Sequence, residues 1–105
     1  MKHLKKYNEN KHLSKNGKIF DCSEQYLNEL LSIPKTVEIL YCSDNKLKEL
    51  PELPKNAELI DCSNNDLTKL PELPEGLKYL ECYKNNLNEL PRLPKGLEYL
   101  DCSYN

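Results

Sequence analysis

The chain repeats itself every 20 residues, and this strict period constrains its fold more than any other feature. The cysteines all obey it, standing at Cys22, Cys42, Cys62, Cys82 and Cys102. Prolines obey it as well, at Pro34, Pro54, Pro74 and Pro94. A fixed period of this length predicts a solenoid, in which each unit packs mainly against its two neighbours.

Each unit opens with a short stretch in which inward and outward positions alternate, as in Ile39 to Ser43. Alternation among β-forming residues predicts a short strand, here with Leu40 and Cys42 pointing inward. The period then predicts five strands, near residues 19–23, 39–43, 59–63, 79–83 and 99–103. Stacked units would place these strands side by side in one parallel sheet, about 4.8 Å apart.

The second half of each full unit contains two Leu-Pro steps, as at Leu50-Pro51 and Leu53-Pro54. A residue before proline is disfavoured in the α region, and proline itself supplies no backbone N–H. We therefore expect the return path to be extended or polyproline-like, with almost no α-helix after residue 16. The predicted fold class is a mainly β solenoid.

The unit pattern L-x-x-L-x-C-x-x-N-x-L, read over residues 37–47, resembles the signature of leucine-rich repeats. The paired Leu-Pro steps that follow are similar to the short bacterial type of this family, known from secreted effectors of the YopM and IpaH kind; related arrays occur in some large DNA viruses. The resemblance implies short parallel strands on the concave side. It also implies a structural role for the asparagine column Asn45, Asn65 and Asn85, whose amides both donate and accept hydrogen bonds.

A chain of 105 residues predicts one domain. Residues 1–16 lie outside the repeat and are expected to form an N-terminal tail or a cap over the first unit. Residues 17–105 are the repeats. They divide into a degenerate unit at 17–36, full units at 37–56, 57–76 and 77–96, and a truncated unit at 97–105.

The cysteine column could suggest zinc or disulfides, but its geometry favours neither. Zinc requires four converging ligands, whereas these side chains point the same way along a line. Parallel neighbouring Cβ vectors also suit disulfide torsion poorly. We interpret Cys42, Cys62 and Cys82 as small buried hydrophobic residues, and reduced thiols favour an intracellular setting.

The sequence contains no motif that predicts an enzyme. His3 and His12 lie in the polar N-terminal segment, and there is no phosphate-binding loop, nucleophile elbow or metal-ligand cluster. We expect no catalytic residue, no metal and no cofactor. Residues 17–105 carry ten basic against sixteen acidic residues, which argues against nucleic acid as a partner. No apolar run of membrane-spanning length is present, so no membrane partner is expected.

The residues left for function are those that the strands point outward. They form three columns, and we call the surface they share the outward sheet face. The first column is Ile19, Ile39, Leu59, Tyr79 and Tyr99; the second is Asp21, Tyr41, Asp61, Glu81 and Asp101; the third is Ser23, Ser43, Ser63, Tyr83 and Ser103. The candidate binding residues are Ile39, Tyr41, Leu59, Asp61, Tyr79, Glu81, Tyr83, Tyr99 and Asp101.

Aromatic and apolar side chains beside carboxylates are typical of protein interfaces. The leading hypothesis is therefore a module that binds a protein or peptide, with basic groups on the partner, through this concave face. Two alternatives stay open. The resemblance also implies a recognition fragment of a ubiquitin-ligase-type effector whose catalytic domain is absent here. The uncapped C-terminal edge suggests a unit that associates with itself.

Overall fold

The computed structural model describes residues 12–105, and expectations for residues 1–11, including His3, lie outside that range. Five strands follow one another: β1 (Ile19–Asp21), β2 (Ile39–Tyr41), β3 (Leu59–Asp61), β4 (Tyr79–Glu81) and β5 (Tyr99–Asp101). They form one parallel sheet in chain order, and each residue pairs with its equivalent 20 positions later. The predicted β solenoid is confirmed.

The strands are three residues long, shorter than the five residues predicted, because the chain turns soon after each strand. The ladder continues to Cys22, whose N–H donates to the Tyr41 carbonyl at 2.8 Å. Two residues further on, the backbone takes a positive φ in every unit. These residues are Glu24, Asp44, Asn64, Lys84 and Tyr104, with φ between 55° and 58°.

The return path is extended, as the Leu-Pro steps predict, and residues 17–105 contain no helix. Across residues 12–105 no helix is long and apolar enough to cross a membrane. The interior is a narrow core between the sheet and the return path. It holds the central strand residues Phe20, Leu40, Ile60 and Leu80, the cysteines from Cys22 to Cys82, and the leucines of the return path.

The asparagine after each turn joins its own unit to the preceding one. Asn65 is buried, and its Nδ2 donates to the carbonyls of Cys42 and Cys62, each at 3.1 Å. Its Oδ1 accepts the backbone N–H of Leu47 at 3.0 Å. Asn45, Asn85 and Asn105 make the equivalent bonds. Backbone groups that leave the strand ladder at the turn therefore keep partners inside the core.

The outer edge of β1 is covered by the segment that precedes it. Leu13 and Phe20 form an isolated antiparallel bridge, and the Ser14 N–H donates to the Ile19 carbonyl at 2.8 Å. Gly17 turns this segment with a φ of 76°. The Thr36 hydroxyl donates to the Gly17 carbonyl at 2.6 Å and ties the turn to the first return path.

Candidate binding face

The sheet register brings the three outward columns together on one surface. In each of the five strands the first and third residues face outward, while the central residue faces the core. Side chains two positions apart along a strand lie about 7 Å from each other on the same face. The fifteen positions of the columns contain no lysine or arginine, so the face is acidic, aromatic and apolar.

Three carboxylates occupy neighbouring strands in the middle column. Asp61 pairs with Glu81 across β3 and β4, and Glu81 pairs with Asp101 across β4 and β5. Partial burial raises the pKa of Glu81, and the negative charges of Asp61 and Asp101 raise it further. Within residues 12–105 the Glu81 carboxylate accepts no hydrogen bond and has no ion-pair partner. It is therefore held between like charges with no compensation from this part of the chain.

The other carboxylates of the column have local donors, in unequal number. Asp101 accepts both the hydroxyl of Ser103 at 2.7 Å and its backbone N–H at 3.1 Å, and these bonds lower the pKa of Asp101. Asp21 is bonded in the same way by Ser23. Among the residues that the structure describes, Asp61 receives only the backbone N–H of Ser63, at 3.1 Å.

Ser63 is a buried polar residue on this face, and its burial was not predicted from the sequence. Its side chain is fully buried, although Ser63 belongs to an outward column, and no hydrogen bond of ordinary geometry from residues 12–105 reaches its Oγ atom. Burial raises the pKa of Tyr83, the next residue of that column, and the charges of Asp61 and Glu81 add to the rise. The neighbouring Ser63 hydroxyl opposes the rise.

The first column supplies the most exposed aromatic residues of the sheet. Tyr79 and Tyr99 are 42% and 47% exposed and pair directly across β4 and β5. Within the described part of the chain, neither hydroxyl makes a hydrogen bond. Ile39 and Leu59, on β2 and β3, are partly buried and continue the column. The aromatic surface of Tyr79 and Tyr99 thus lies beside the unpaired carboxylate of Glu81 on β4 and β5.

A groove lies on the return side of the solenoid, opposite the outward sheet face, and it was not predicted from the sequence. It is a groove of about 370 Å³ between the first two return paths, lined by Leu30, Leu31, Leu50 and Pro51 among others. Leu31 is 76% exposed there. The available signal was that Leu31 stands where the later units have Pro51, Pro71 and Pro91.

The five cysteines form no disulfide within residues 12–105, and four of them are inaccessible. Cys22, Cys42, Cys62 and Cys82 are buried, whereas Cys102 is exposed. Burial raises the pKa of Cys42 and Cys62, and it raises the pKa of Cys82 to about 12. A thiolate is the reactive form of cysteine, so the buried thiols are poor nucleophiles. Residues 12–105 contain no group of three or more potential ligands arranged to hold a metal ion.

Comparison with known proteins places this fold. No protein-family profile and no curated protein matches the chain. Among solved structures, a Shigella effector leucine-rich-repeat domain superposes with a TM-score of 0.84 at 34% identity, over 86% of this chain. The chain is a leucine-rich-repeat protein. YopM from Yersinia enterocolitica superposes on this leucine-rich-repeat chain with a TM-score of 0.78 at 38% identity, over 84% of this chain.

Both matches support repeats of the short 20-residue type, as the paired Leu-Pro steps predict. The leucine-rich-repeat protein spans 41% of the length of the Shigella chain and 20% of the YopM chain. The similarity therefore concerns the repeat array and not the whole of either effector.

Proposed function

We propose that this leucine-rich-repeat protein binds another protein or a peptide through its outward sheet face. Solenoid repeats commonly present such a surface to partners. The observation that carries the proposal is the juxtaposition, on β4 and β5, of exposed Tyr79 and Tyr99 with the uncompensated carboxylate of Glu81. Aromatic anchors beside polar groups are the composition of binding hot spots.

The charge of the face supports a basic partner. The outward columns hold four acidic residues and no basic one. The two lysines that precede β1 and β4 form ion pairs beside the columns: Lys18 lies 3.8 Å from Glu38, and Lys78 lies 3.9 Å from Glu98. A partner that carries lysine or arginine would be steered to the face and would relieve repulsion among the carboxylates.

Differential capture from a cell extract tests the proposal. The wild-type chain, a Tyr79→Ala, Glu81→Lys double variant and a Glu52→Lys control would be immobilised at equal density. Glu52 is exposed on the return path, far from the outward columns. The expected result is a protein, identified by mass spectrometry, that the wild type and the control retain and the double variant loses.

A purified partner that binds the double variant as tightly as the wild type would overturn the proposal. A Leu31→Ser variant completes the design, because it removes the exposed leucine of the return-side groove. Loss of the partner with this variant alone would move the binding site to the groove.

A second candidate is the recognition part of a larger effector, including one of the ubiquitin-ligase type. It is favoured because both matched effector chains are longer than this repeat array, which spans 41% of the Shigella chain and 20% of the YopM chain. The full open reading frame tests it, since a downstream catalytic domain is required. In either role the proposed site of action is inside a cell, the host cytoplasm for an effector or viral protein, because free thiols persist in reducing compartments.

A third candidate is self-association along the sheet. Residues 13–18 cover the outer edge of β1, whereas within residues 12–105 β5 pairs with β4 alone. An unpaired edge strand can pair with another chain. Sedimentation velocity tests this candidate, because a monomer over the full range of working concentrations would exclude it.

A further inference from the structure

We infer that Glu81 is the centre of a subsite that takes one arginine side chain of the partner, framed by Tyr79, Tyr83 and Tyr99. This inference rests on the proposed function, since it assigns the chemistry recognised by the same face. It is more specific than a general preference for basic partners. It names one carboxylate, three aromatic neighbours and one type of side chain.

The carboxylate arrangement supplies the first reason. Glu81 stands in register between Asp61 and Asp101, and no donor or cation among residues 12–105 pairs with it. A guanidinium placed over Glu81 would lie within one strand spacing of both neighbouring carboxylates. It would replace the repulsion among three like charges with hydrogen-bonded attraction.

The tyrosine frame supplies the second reason. Tyr79 precedes Glu81 by two positions and Tyr83 follows it by two, so both lie about 7 Å away on the same face. Tyr99 occupies the diagonal position on β5, at a similar distance. A cation within about 6 Å of an aromatic ring is attracted by the ring's negative face. The frame therefore suits a flat cation better than a neutral side chain.

The unused hydrogen-bonding capacity beside Glu81 supplies the third reason. Ser63 is fully buried on this face, at the edge of the carboxylate row, and among residues 12–105 no hydrogen bond of ordinary geometry reaches its Oγ. The serine hydroxyls of the first and last units donate to their aspartates, but the Ser63 hydroxyl does not donate to Asp61. Asp61 can therefore accept further hydrogen bonds, and the neighbouring Ser63 hydroxyl keeps unused hydrogen-bonding capacity. Buried polar groups left in this state favour a ligand that supplies partners.

Arginine fits these features better than lysine does. Its planar guanidinium stacks on aromatic rings and presents several N–H donors, enough to reach Glu81 and a neighbouring carboxylate together. A lysine ammonium is a compact, strongly hydrated charge and gains less from flanking rings. The geometry thus favours a guanidinium stacked on Tyr79 or Tyr99 that donates to Glu81.

Nuclear magnetic resonance with short blocked peptides tests the subsite. The probes are acetyl-Gly-Gly-Arg-Gly-Gly-amide and the same peptide with citrulline or lysine in place of arginine. Citrulline keeps the planar shape and lacks the charge. The arginine peptide should shift the amide signals of Tyr79, Glu81 and Tyr99, and its Kd should rise at least about fivefold in Glu81→Gln. The control Glu52→Gln should leave the Kd unchanged.

A second readout does not depend on the variants. The side-chain carboxyl of Glu81 should titrate at a lower pH in the presence of the arginine peptide, because a bound cation stabilises its ionised form. The citrulline peptide should leave that titration in place. The groups that face Glu81 are the carboxylates of Asp61 and Asp101 and the hydroxyl of Tyr83.

Equal response to the citrulline peptide would overturn the subsite, as would equal response to the lysine peptide or shifts spread over the whole acidic surface. Absence of shifts at Tyr79, Glu81 and Tyr99 at saturating peptide would do the same. Failure of the subsite alone can be distinguished from failure of the wider proposal. A captured partner that depends on Tyr79 but binds Glu81→Gln as well as wild type would leave the binding face in place and remove the arginine subsite.

Discussion

The side-chain oxygen of Asn45 accepts the backbone N–H of Leu27, a residue of the preceding unit, at 2.8 Å. The Nδ2 of the same side chain donates to the carbonyls of Cys22 and Cys42, at 3.0 and 3.1 Å. One buried amide therefore joins two consecutive turns of the solenoid. The column of asparagines links the units to each other as well as filling each turn.

The first prediction follows from this column. Asn65→Ala leaves the Cys42 and Cys62 carbonyls and the Leu47 N–H without their present partner. Each buried group left unpaired costs about 1–3 kcal/mol, so we expect a loss of at least about 2 kcal/mol in the free energy of unfolding. Urea denaturation followed by circular dichroism measures it. Asn88→Ala, at an exposed site on the return path, is the matched control and should stay within about 0.5 kcal/mol of wild type.

The second prediction concerns the strained turn of the fourth unit. Lys84 has a φ of 55°, a conformation that costs an L-residue with a Cβ atom about 1–2 kcal/mol. Lys84→Gly should remove that strain and raise the thermal midpoint, despite the greater chain entropy of glycine. Lys48 is an exposed residue without a positive φ, so Lys48→Gly relieves no strain and should lower the thermal midpoint. A fall in both variants would show that the turn is not strained.

The third prediction concerns the thiols. In the native protein Cys102 should react quickly with a thiol reagent, while the four buried cysteines should react only as the solenoid opens. Cys62→Ser should destabilise the protein by about 1–3 kcal/mol, because it buries a hydroxyl in a column of thiols. Cys102→Ser, at an exposed site, should have little effect. Rapid modification of Cys62 in the native state would contradict its placement in the core.

The fourth prediction concerns pH. The pKa of Glu81 is raised in the folded protein, so its ionised form is less favourable there than in the unfolded chain. The resulting cost is fully present above the folded pKa and is lost below the unfolded pKa of about 4.3. Glu81→Gln should therefore stabilise the protein at pH 7, and the gain should disappear as the pH falls below about 4. A gain that persists or grows at low pH would contradict the sign of the shift.

The fifth prediction concerns the rate of association with a basic partner. Glu81→Lys should slow association and flatten its dependence on ionic strength, because the carboxylate row steers the partner. Tyr79→Ala should instead act mainly on dissociation and weaken binding by about 1 kcal/mol or more, as loss of an aromatic anchor does. Surface plasmon resonance at several salt concentrations separates the two effects. Glu72→Lys, on the return path, should change neither rate.

Much of this fold could be predicted because a strict period leaves few alternatives. The register of 20 residues set the strand pairing, and the paired Leu-Pro steps excluded helix from the return path. Features of single residues were harder. Ser63 reads as outward from its position in the strand pattern, yet it is buried beside the larger Tyr83 of the next unit. Such coverage depends on a side chain's direction, which a repeat pattern does not encode.

The conformation of the turns and the covering of the β1 edge could also not be predicted from the sequence. Glu24, Lys84 and Tyr104 adopt positive φ although asparagine, aspartate or glycine would be the expected residues there. The stacked neighbours impose the turn, and local preference yields to them. The segment around Leu13 lies outside the repeat and has no period from which its pairing with Phe20 could be predicted.

We propose that the outward sheet face, and not the return path, meets the partner. The most direct measurement is a chemical-shift footprint of a captured partner on the isotopically labelled protein. We expect signal loss and shifts to concentrate at Tyr79, Glu81, Tyr83 and Tyr99 and to extend along the outward columns. A footprint centred on Leu31, Lys48 and Glu49, at the groove between the first two return paths, would contradict it.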